Sequence, residues 1–184
     1  MAKVKGVALM SRIGIIKRSF GDAAWLKVLD SMSARDRETL ERGMLASSWY
    51  PEELYRDLNL AIDKALGVGN PNLFLKIGEM TGEEGLTGVY SSKVKADVMQ
   101  TVERAPGLWR MFHATGDVKI ETVGENHVRV QISGYAMPHR EHCKGLGGWI
   151  RKIVELSGGK NPIQRETKCV VKGDSFCEWE LRWE

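Results

Sequence analysis

The sequence predicts an α+β fold, in which an N-terminal helical layer packs on a small antiparallel sheet of two hairpins joined by a helix. Three observations support this class. Helical apolar spacing and capping signals dominate the chain up to about residue 115. After Gly116, apolar residues alternate with charged ones, which is typical of strands with one buried face. Helical spacing returns between the two alternating regions, so the order is hairpin, helix, hairpin.

The first part of the chain contains a series of predicted helices. They cover residues 4–18, a short segment after Asp22, a segment after Ser33, and residues 51–66, 70–80 and 91–105. The helix over 51–66 has the clearest signals, because Pro51 suits a helix start and Gly67 a helix end. Ser33 followed by Asp36 resembles a capping box. The last helix is expected to end before Pro106.

The second part contains the predicted sheet. Its elements are a hairpin over residues 118–132, a helix from about 142 to 157, and strands near 164–171 and 176–183 about a Gly173–Asp174 turn. A plain two-residue loop would place Cys177 and Cys169 on opposite faces. An odd-length loop or a bulge near Gly173 would place both sulfurs on one face. The glycines of Gly145-x-Gly147-Gly148 indicate close helix packing.

The three cysteines predict a metal site. An odd number of cysteines does not form a disulfide framework, which favours a reducing, cytoplasmic location with free thiols. Three thiolates and one carboxylate complete the closed four-coordinate shell that structural zinc prefers. The predicted ligands are Cys143, Glu166, Cys169 and Cys177. His142 or His139 could replace Glu166, and ordinary burial of the cysteines as packing residues remains the alternative.

Charge and hydropathy exclude several classes of protein. The chain has 27 basic and 24 acidic residues, a net charge of +3, which is too small for sequence-independent nucleic-acid binding. No stretch approaches the roughly 20 apolar residues of a membrane span, and a signal peptide is not expected. The basic N-terminal residues are interpreted as a solvated helix face: Lys3, Lys5, Arg12, Lys17 and Arg18.

A family resemblance supports the metal prediction. The cysteines and Glu166, with the string Gly-Asp-Ser-Phe-Cys-Glu-Trp at 173–179, resemble the vinyl-4-reductase-type small-molecule-binding domain, which also forms the sensor region of bacterial activators responding to aromatic compounds. This resemblance implies a structural zinc ion on the four ligands. A weaker likeness to haem–nitric-oxide-binding domains covers residues 3–90. Both families, with subunits of vesicle-tethering particles, share an α+β fold, and by analogy a homodimer is expected.

The sequence departs from these families in two ways. The predicted helix over 91–105 has no histidine to ligate haem, and residues 132–136 replace the Tyr-x-Ser-x-Arg clamp for propionates, so haem is not expected. The His, Trp and Tyr set of phenol sensors is also missing near Glu166, which leaves the effector open. His113 and His127 are interpreted as ordinary surface or packed residues, and no catalytic set stands out.

The sequence therefore predicts a single vinyl-4-reductase-like domain over 1–184, with a helical part at 1–115 and a zinc-bearing part at 116–184. Its predicted function is a zinc-stabilised, non-enzymatic small-molecule-binding or sensor module with a possible apolar ligand. The alternatives are a homodimeric scaffold without a small ligand and, suggested only by the family name, an enzyme of tetrapyrrole reduction.

Overall fold

The computed structural model describes residues 2–88, 91–94 and 97–184 and confirms the α+β class. In chain order the elements are β1 (Lys3–Lys5), α1 (Gly6–Phe20), α2 (Asp22–Asp30), α3 (Ala34–Glu41), β2 (Trp49–Pro51), α4 (Glu52–Leu66), α5 (Leu73–Thr87), α6 (Val98–Val102), α7 (Ala105–Phe112), β3 (Asp117–Gly124), β4 (His127–Ser133), α8 (Arg140–Leu156), β5 (Ile163–Lys168) and β6 (Cys177–Arg182). None of the helices among the described residues is long and apolar enough to cross a membrane.

The N-terminal helices share one apolar core beside the short β1–β2 pair. The predicted helix over 51–66 is α4, and its Leu58 and Ile62 are fully buried because residues four apart lie on one helix face. The predicted cap of α3 is also confirmed, since Ser33 Oγ accepts a hydrogen bond from the Asp36 backbone N–H at 3.2 Å. Local signals thus predict these helices correctly.

The second half forms a four-stranded antiparallel sheet in the order β3-β4-β6-β5. The predicted alternation gives this sheet one apolar face, where Val130 and Trp179 stand opposite each other and are buried. The joining helix α8 contributes Ile150 and Val154 to the same apolar core. The sheet and α8 therefore form a second core beside that of the N-terminal helices.

The last hairpin differs from its predicted geometry. The irregularity lies between Glu166 and Lys168, which pair with Trp179 and Glu178 respectively, and not near Gly173. A short 3-10 turn leads into Gly173, whose φ of +101° is a backbone conformation that glycine adopts without strain. Because directly opposite residues share a sheet face, the shift places Glu166 on the apolar face with Trp179.

The predicted helix over 91–105 is wrong within the described residues, and residues 95–96 of it lie outside them. The described part contains a 3-10 turn at Ser91–Lys93, the short α6 and the start of α7. Pro106 lies in the first turn of α7, where its missing N–H leaves no hydrogen bond unmade. The proline therefore marks a helix start, whereas the sequence analysis treated it as a helix end.

The predicted close packing at the glycines of α8 is confirmed, and α5 is the helix that packs there. A Cβ atom on Gly78 of α5 would lie 1.9 Å from the Gly145 carbonyl oxygen, and one on Gly148 would lie 2.0 Å from that of Leu75. Only the absence of side chains lets the two backbones approach this closely. This contact joins the N-terminal helices to the half of the chain that carries the sheet.

Candidate ligand-binding site

A cavity of about 390 Å³ is lined by several helices and by the four-stranded sheet. Its walls are mainly apolar and come from α1, α5, α7, α8 and the buried face of the sheet: Val7, Ala8, Met10, Leu86, Leu108, Trp109, Phe112, Val118, Val130, Ile132, Leu146, Trp149 and Ile150. Exposed Arg18 and Glu84 form an ion pair and also line the cavity. The buried residues Arg12, Tyr55 and His142 line it elsewhere. A largely apolar cavity with a few polar groups is the usual form of a small-molecule site.

Three of the four histidines meet beside this cavity. The ring centroids of His113 and His142 are 5.2 Å apart, and those of His139 and His142 are 5.4 Å apart. Trp109 stacks on His113 with a centroid distance of 4.2 Å, and Tyr135 lies 4.9 Å from His142. We call these five residues with Tyr55 the aromatic cluster. The cluster draws its members from α4, α7 and the residue that follows it, the β4–α8 loop and α8.

Glu52 holds one side of the aromatic cluster in place. It is the first residue of α4, it is fully buried, and the positive end of the helix dipole favours a carboxylate there. Its Oε1 atom accepts hydrogen bonds from the Tyr135 hydroxyl at 2.5 Å and from His113 Nδ1 at 3.0 Å. Burial raises the pKa of Tyr135, and the negative charge of Glu52 adds to the effect. Tyr135 therefore acts as a hydrogen-bond donor.

The other two histidines of the cluster are neutral. His139 Nδ1 donates to the Met137 carbonyl at 2.8 Å, and its Nε2 lies 3.0 Å from Asn59 Nδ2, which must donate to it. Burial lowers the pKa of His139, and it lowers that of His142 well below the usual value. His142 makes ring contacts but no hydrogen bond within the described residues. It offers an uncharged imidazole to whatever occupies the cavity.

Arg12 corrects the prediction of a solvated basic face. Its side chain is 4% exposed and lies beside the aromatic cluster, with Nη2 donating to the Tyr55 hydroxyl at 2.7 Å. The guanidinium also lies 5.6 Å from the Tyr55 ring centre and 5.9 Å from that of Phe74. Leu9, Arg12 and Ile16 have the 3–4 spacing of one helix face, and both apolar members are buried. That spacing could have identified the buried arginine.

The predicted cysteine ligands lie together in the structure. Cys143 Sγ is 3.8 Å from Cys169 Sγ and 3.9 Å from Cys177 Sγ, and the three sulfurs form a group that could hold a metal ion. A hydrogen bond from Cys143, and then one from the Val170 backbone N–H, lower the pKa of Cys177. Tetrahedral coordination with metal–sulfur bonds of about 2.3 Å separates sulfurs by about 3.8 Å. The observed distances match that separation.

Glu166, the predicted fourth ligand, is bound to two cations. Its carboxylate accepts hydrogen bonds from Arg140 Nη1 at 2.8 and 2.9 Å and from Lys172 Nζ at 2.9 Å. Burial opposes its ionisation, but the two cations outweigh burial and lower the pKa of Glu166. Arg140 Nη1 also donates to Cys169 Sγ at 3.0 Å, so the Arg140 guanidinium connects the Glu166 carboxylate to the cysteine cluster. Its assignment as a metal ligand, or that of His142 in its place, stays a prediction.

Comparison with known proteins gives matches only at the level of structure. No family model and no curated protein match the chain. An Fe(II) unliganded H-NOX protein from K. algicida is similar with a TM-score of 0.72 and 11% identity, covering 98% of this chain and 96% of that one. An H-NOX protein from S. oneidensis in the Fe(II)NO ligation state is similar with a TM-score of 0.73 and 14% identity, covering 98% of this chain and 99% of that one. An oxygen-binding H-NOX domain related to soluble guanylate cyclases is similar with a TM-score of 0.68 and 11% identity, covering 98% of this chain and 95% of that one.

These matches establish the fold. The likeness to haem–nitric-oxide-binding domains, predicted only for residues 3–90, extends at the level of fold over almost the whole chain. The narrower vinyl-4-reductase-type assignment is not shown by these neighbours.

The cofactor prediction, structural zinc without haem, is contradicted by the same neighbours. They are described as Fe(II), Fe(II)NO and oxygen complexes, and one study of the family concerns haem distortion. The sequence argument looked for an iron ligand in one predicted helix, whereas the fold brings His113 and His142 to the cavity from other segments. Support for zinc is limited to the cysteine cluster.

Proposed function

We propose that this chain is a non-enzymatic sensor domain that binds a small molecule in the cavity lined by its helices and its sheet. The observation that carries this proposal is the combination of a 390 Å³ apolar cavity with a buried, hydrogen-bonded polar cluster beside it. The fold shared with H-NOX proteins supports the same class. The cavity favours this function over a scaffold that binds no small ligand.

The side chains around the cavity include groups that can hold haem, but the cavity of about 390 Å³ is smaller than haem, so binding haem requires the walls to move apart. Imidazole is a common axial ligand of haem iron, and both His113 and His142 line the cavity. Arg12 offers a positive charge to a propionate. Haem would supply an iron atom that binds diatomic gases, as in the H-NOX complexes with nitric oxide and oxygen. This chain's own residues would hold the iron and enclose the ligand in apolar surroundings.

Binding of a neutral fluorophore tests the sensor proposal. We expect 1-aminoanthracene to bind the purified protein and Ser11→Phe to weaken that binding at least about tenfold, because Ser11 lines the cavity and a phenyl ring would fill part of it. Ser19→Phe is the matched control, since Ser19 lies on the same helix, is exposed and does not line the cavity. Equal effects of the two variants would contradict the proposed site.

Titration with haemin distinguishes a haem sensor from a sensor of free small molecules. Uptake with a Soret band that shifts in His113→Ala or His142→Ala supports a haem-borne gas sensor. Binding of the fluorophore without haemin uptake supports a sensor of free small molecules. A folded protein that binds neither compound would overturn the proposed function.

We also propose that Cys143, Cys169 and Cys177 bind a thiophilic divalent metal ion. The protein purified without added metal should contain close to one ion per chain, measured by mass spectrometry of the digested protein. Cys143→Ser should lose it, because two thiolates remain. Glu166→Gln tests the fourth ligand and should weaken binding if the carboxylate coordinates the ion. A folded wild-type protein that holds no metal and gives no thiolate-to-cobalt band with Co²⁺ would contradict the site.

The domain type, the cellular location and the oligomeric state complete the proposed function. We propose that the chain is a single vinyl-4-reductase-like domain, that it works in the cytoplasm and that it forms a homodimer. Light scattering of the purified protein measures the last of these directly. A monomer at micromolar concentration would remove the homodimer from the proposal without affecting the cavity.

A further inference from the structure

Arg12 is a buried cation without an anionic partner. Its Nε and Nη1 atoms are buried and make no hydrogen bond, and the guanidinium forms no ion pair within the described part of the chain. A buried charge is stable only when it is paired or well hydrogen-bonded, and a buried donor without a hydrogen bond destabilises the protein. One hydrogen bond to Tyr55 and two aromatic neighbours compensate this charge only in part.

The buried carboxylate beside the aromatic cluster, that of Glu52, forms no ion pair with Arg12. The Oε1 atom of Glu52 is used by His113 and Tyr135, and its Oε2 atom has no hydrogen-bond partner. Glu52 and Arg12 both lie buried beside the cluster, yet each retains unpaired polar atoms. The protein alone therefore leaves the positive charge of Arg12 open to an anion from outside.

Arg12 also occupies a defined place in the cavity. It and Arg18 both line the cavity from α1, six residues apart, which corresponds to about 9 Å along a helix. Arg18 is exposed and already paired with Glu84, whereas Arg12 is buried and has no ion pair. The cavity wall therefore contains both an exposed, neutralised ion pair and a buried cation without an ion pair, with apolar side chains around them.

We propose that the ligand is an apolar monocarboxylate whose carboxylate pairs with the Arg12 guanidinium while its apolar body fills the cavity. This inference rests on the proposed function and specifies the ligand class of the same site. A guanidinium binds a carboxylate through charge-assisted hydrogen bonds, and Arg12 has two nitrogen donors, Nε and Nη1, that no group of the protein uses. At about 30 Å³ for each water-sized group, a cavity of 390 Å³ holds roughly 13 such groups. Decanoate is a suitable probe of this size.

The test compares decanoate with decanol, its uncharged analogue of nearly equal length, by titration calorimetry. The wild-type protein should bind decanoate at least about tenfold more tightly than decanol. Arg12→Met should remove this preference and retain decanol binding, because methionine keeps an apolar side chain at the cavity wall. Lys17→Met is the matched control and should leave the preference unchanged, since Lys17 lies on the same helix, is exposed and does not line the cavity.

Thermal unfolding provides a second measurement that does not depend on calorimetry. Without ligand, Arg12→Met should raise the Tm, because an unpaired buried charge is replaced by an apolar side chain. With decanoate, the Tm of the wild type should rise and that of Arg12→Met should not. A variant that unfolds more easily without ligand would show that Arg12 is already neutralised within the protein and would overturn the inference.

The outcomes separate this inference from the proposed function. Equal affinity of the wild-type protein for decanoate and decanol would overturn the carboxylate assignment and keep the cavity as a small-molecule site. A preference for decanoate that survives Arg12→Met would also overturn it. If neither compound binds, and 1-aminoanthracene does not bind either, the proposed function itself fails.

Discussion

Gly78→Ala is expected to destabilise the fold by about 1–2 kcal/mol, although alanine normally favours a helix. The added Cβ would lie 1.9 Å from the Gly145 carbonyl oxygen, so α5 and α8 would have to separate. Forcing extra atoms into a well-packed contact typically costs about 1–3 kcal/mol, sometimes more, and it outweighs the roughly 1 kcal/mol that alanine gains in helix propensity. Urea unfolding followed by circular dichroism measures the change.

Two control variants test whether the loss of stability comes from the contact between α5 and α8. Gly148→Ala should have a similar effect, because its Cβ would lie 2.0 Å from the Leu75 carbonyl oxygen on the other side of the same contact. Gly107→Ala should be neutral or stabilising by up to about 1 kcal/mol, since Gly107 lies in α7 with no atom within 4 Å of the added Cβ. A Gly78→Ala protein as stable as the wild type would mean that the helices pack less closely.

The close approach of α5 and α8 also matters for ligand binding. Gly145 and Trp149 of α8 line the cavity, and Gly78 contacts the backbone of both. Separating the helices would therefore change the cavity wall as well as the stability. The packing of these glycines links the fold of the protein to the shape of its proposed binding site.

The sequence predicted elements whose signals are local. The cap at Ser33, the amphipathic α4 and the alternating strands each depend on residues close together in the chain, and all three are confirmed. The proximity of the three cysteines was also accessible, because the resemblance joined residues from α8 and the last hairpin. Pro106 was misread because proline is compatible with both a helix end and a first helical turn.

The aromatic cluster was not predictable by the same means. Its residues come from segments between Tyr55 and His142, and each one alone has an ordinary packing explanation. His113 was interpreted as a lone histidine, but β1 pairs with it through a bridge at Val4 and directs it toward Glu52. Only tertiary contacts between distant segments create this cluster, and no spacing in the sequence encodes them.

The fold likewise changes the interpretation of Arg12 and of haem. A count of basic residues cannot separate a solvated arginine from a buried one, although the spacing of Leu9, Arg12 and Ile16 contains that information. The argument against haem depended on one helix without a histidine and on the missing propionate clamp, whereas the histidines at the cavity come from other segments. Both errors came from judging charged and polar residues without their tertiary neighbours.

Glu52→Ala should lower the free energy of unfolding by about 3 kcal/mol. The substitution removes the buried carboxylate oxygen that accepts hydrogen bonds from His113 and Tyr135, so two buried donors lose their acceptor at once. Each donor left unsatisfied costs about 1–3 kcal/mol, and the removed side chain also leaves a void. Urea unfolding measures the loss. Glu52→Gln keeps the shape and one acceptor oxygen, so its loss should be smaller, about 1 kcal/mol.

Glu53→Ala is the matched control for the Glu52 bonds. Both glutamates lie in the first turn of α4 and interact with the same helix dipole, but the Oε2 atom of Glu53 is buried without a hydrogen-bond partner. Glu53→Ala should therefore change stability by no more than about 0.5 kcal/mol. If the two alanine variants lose equal stability, the helix dipole explains the effect. The hydrogen bonds of Glu52 would then not be what holds His113 and Tyr135 beside the cavity.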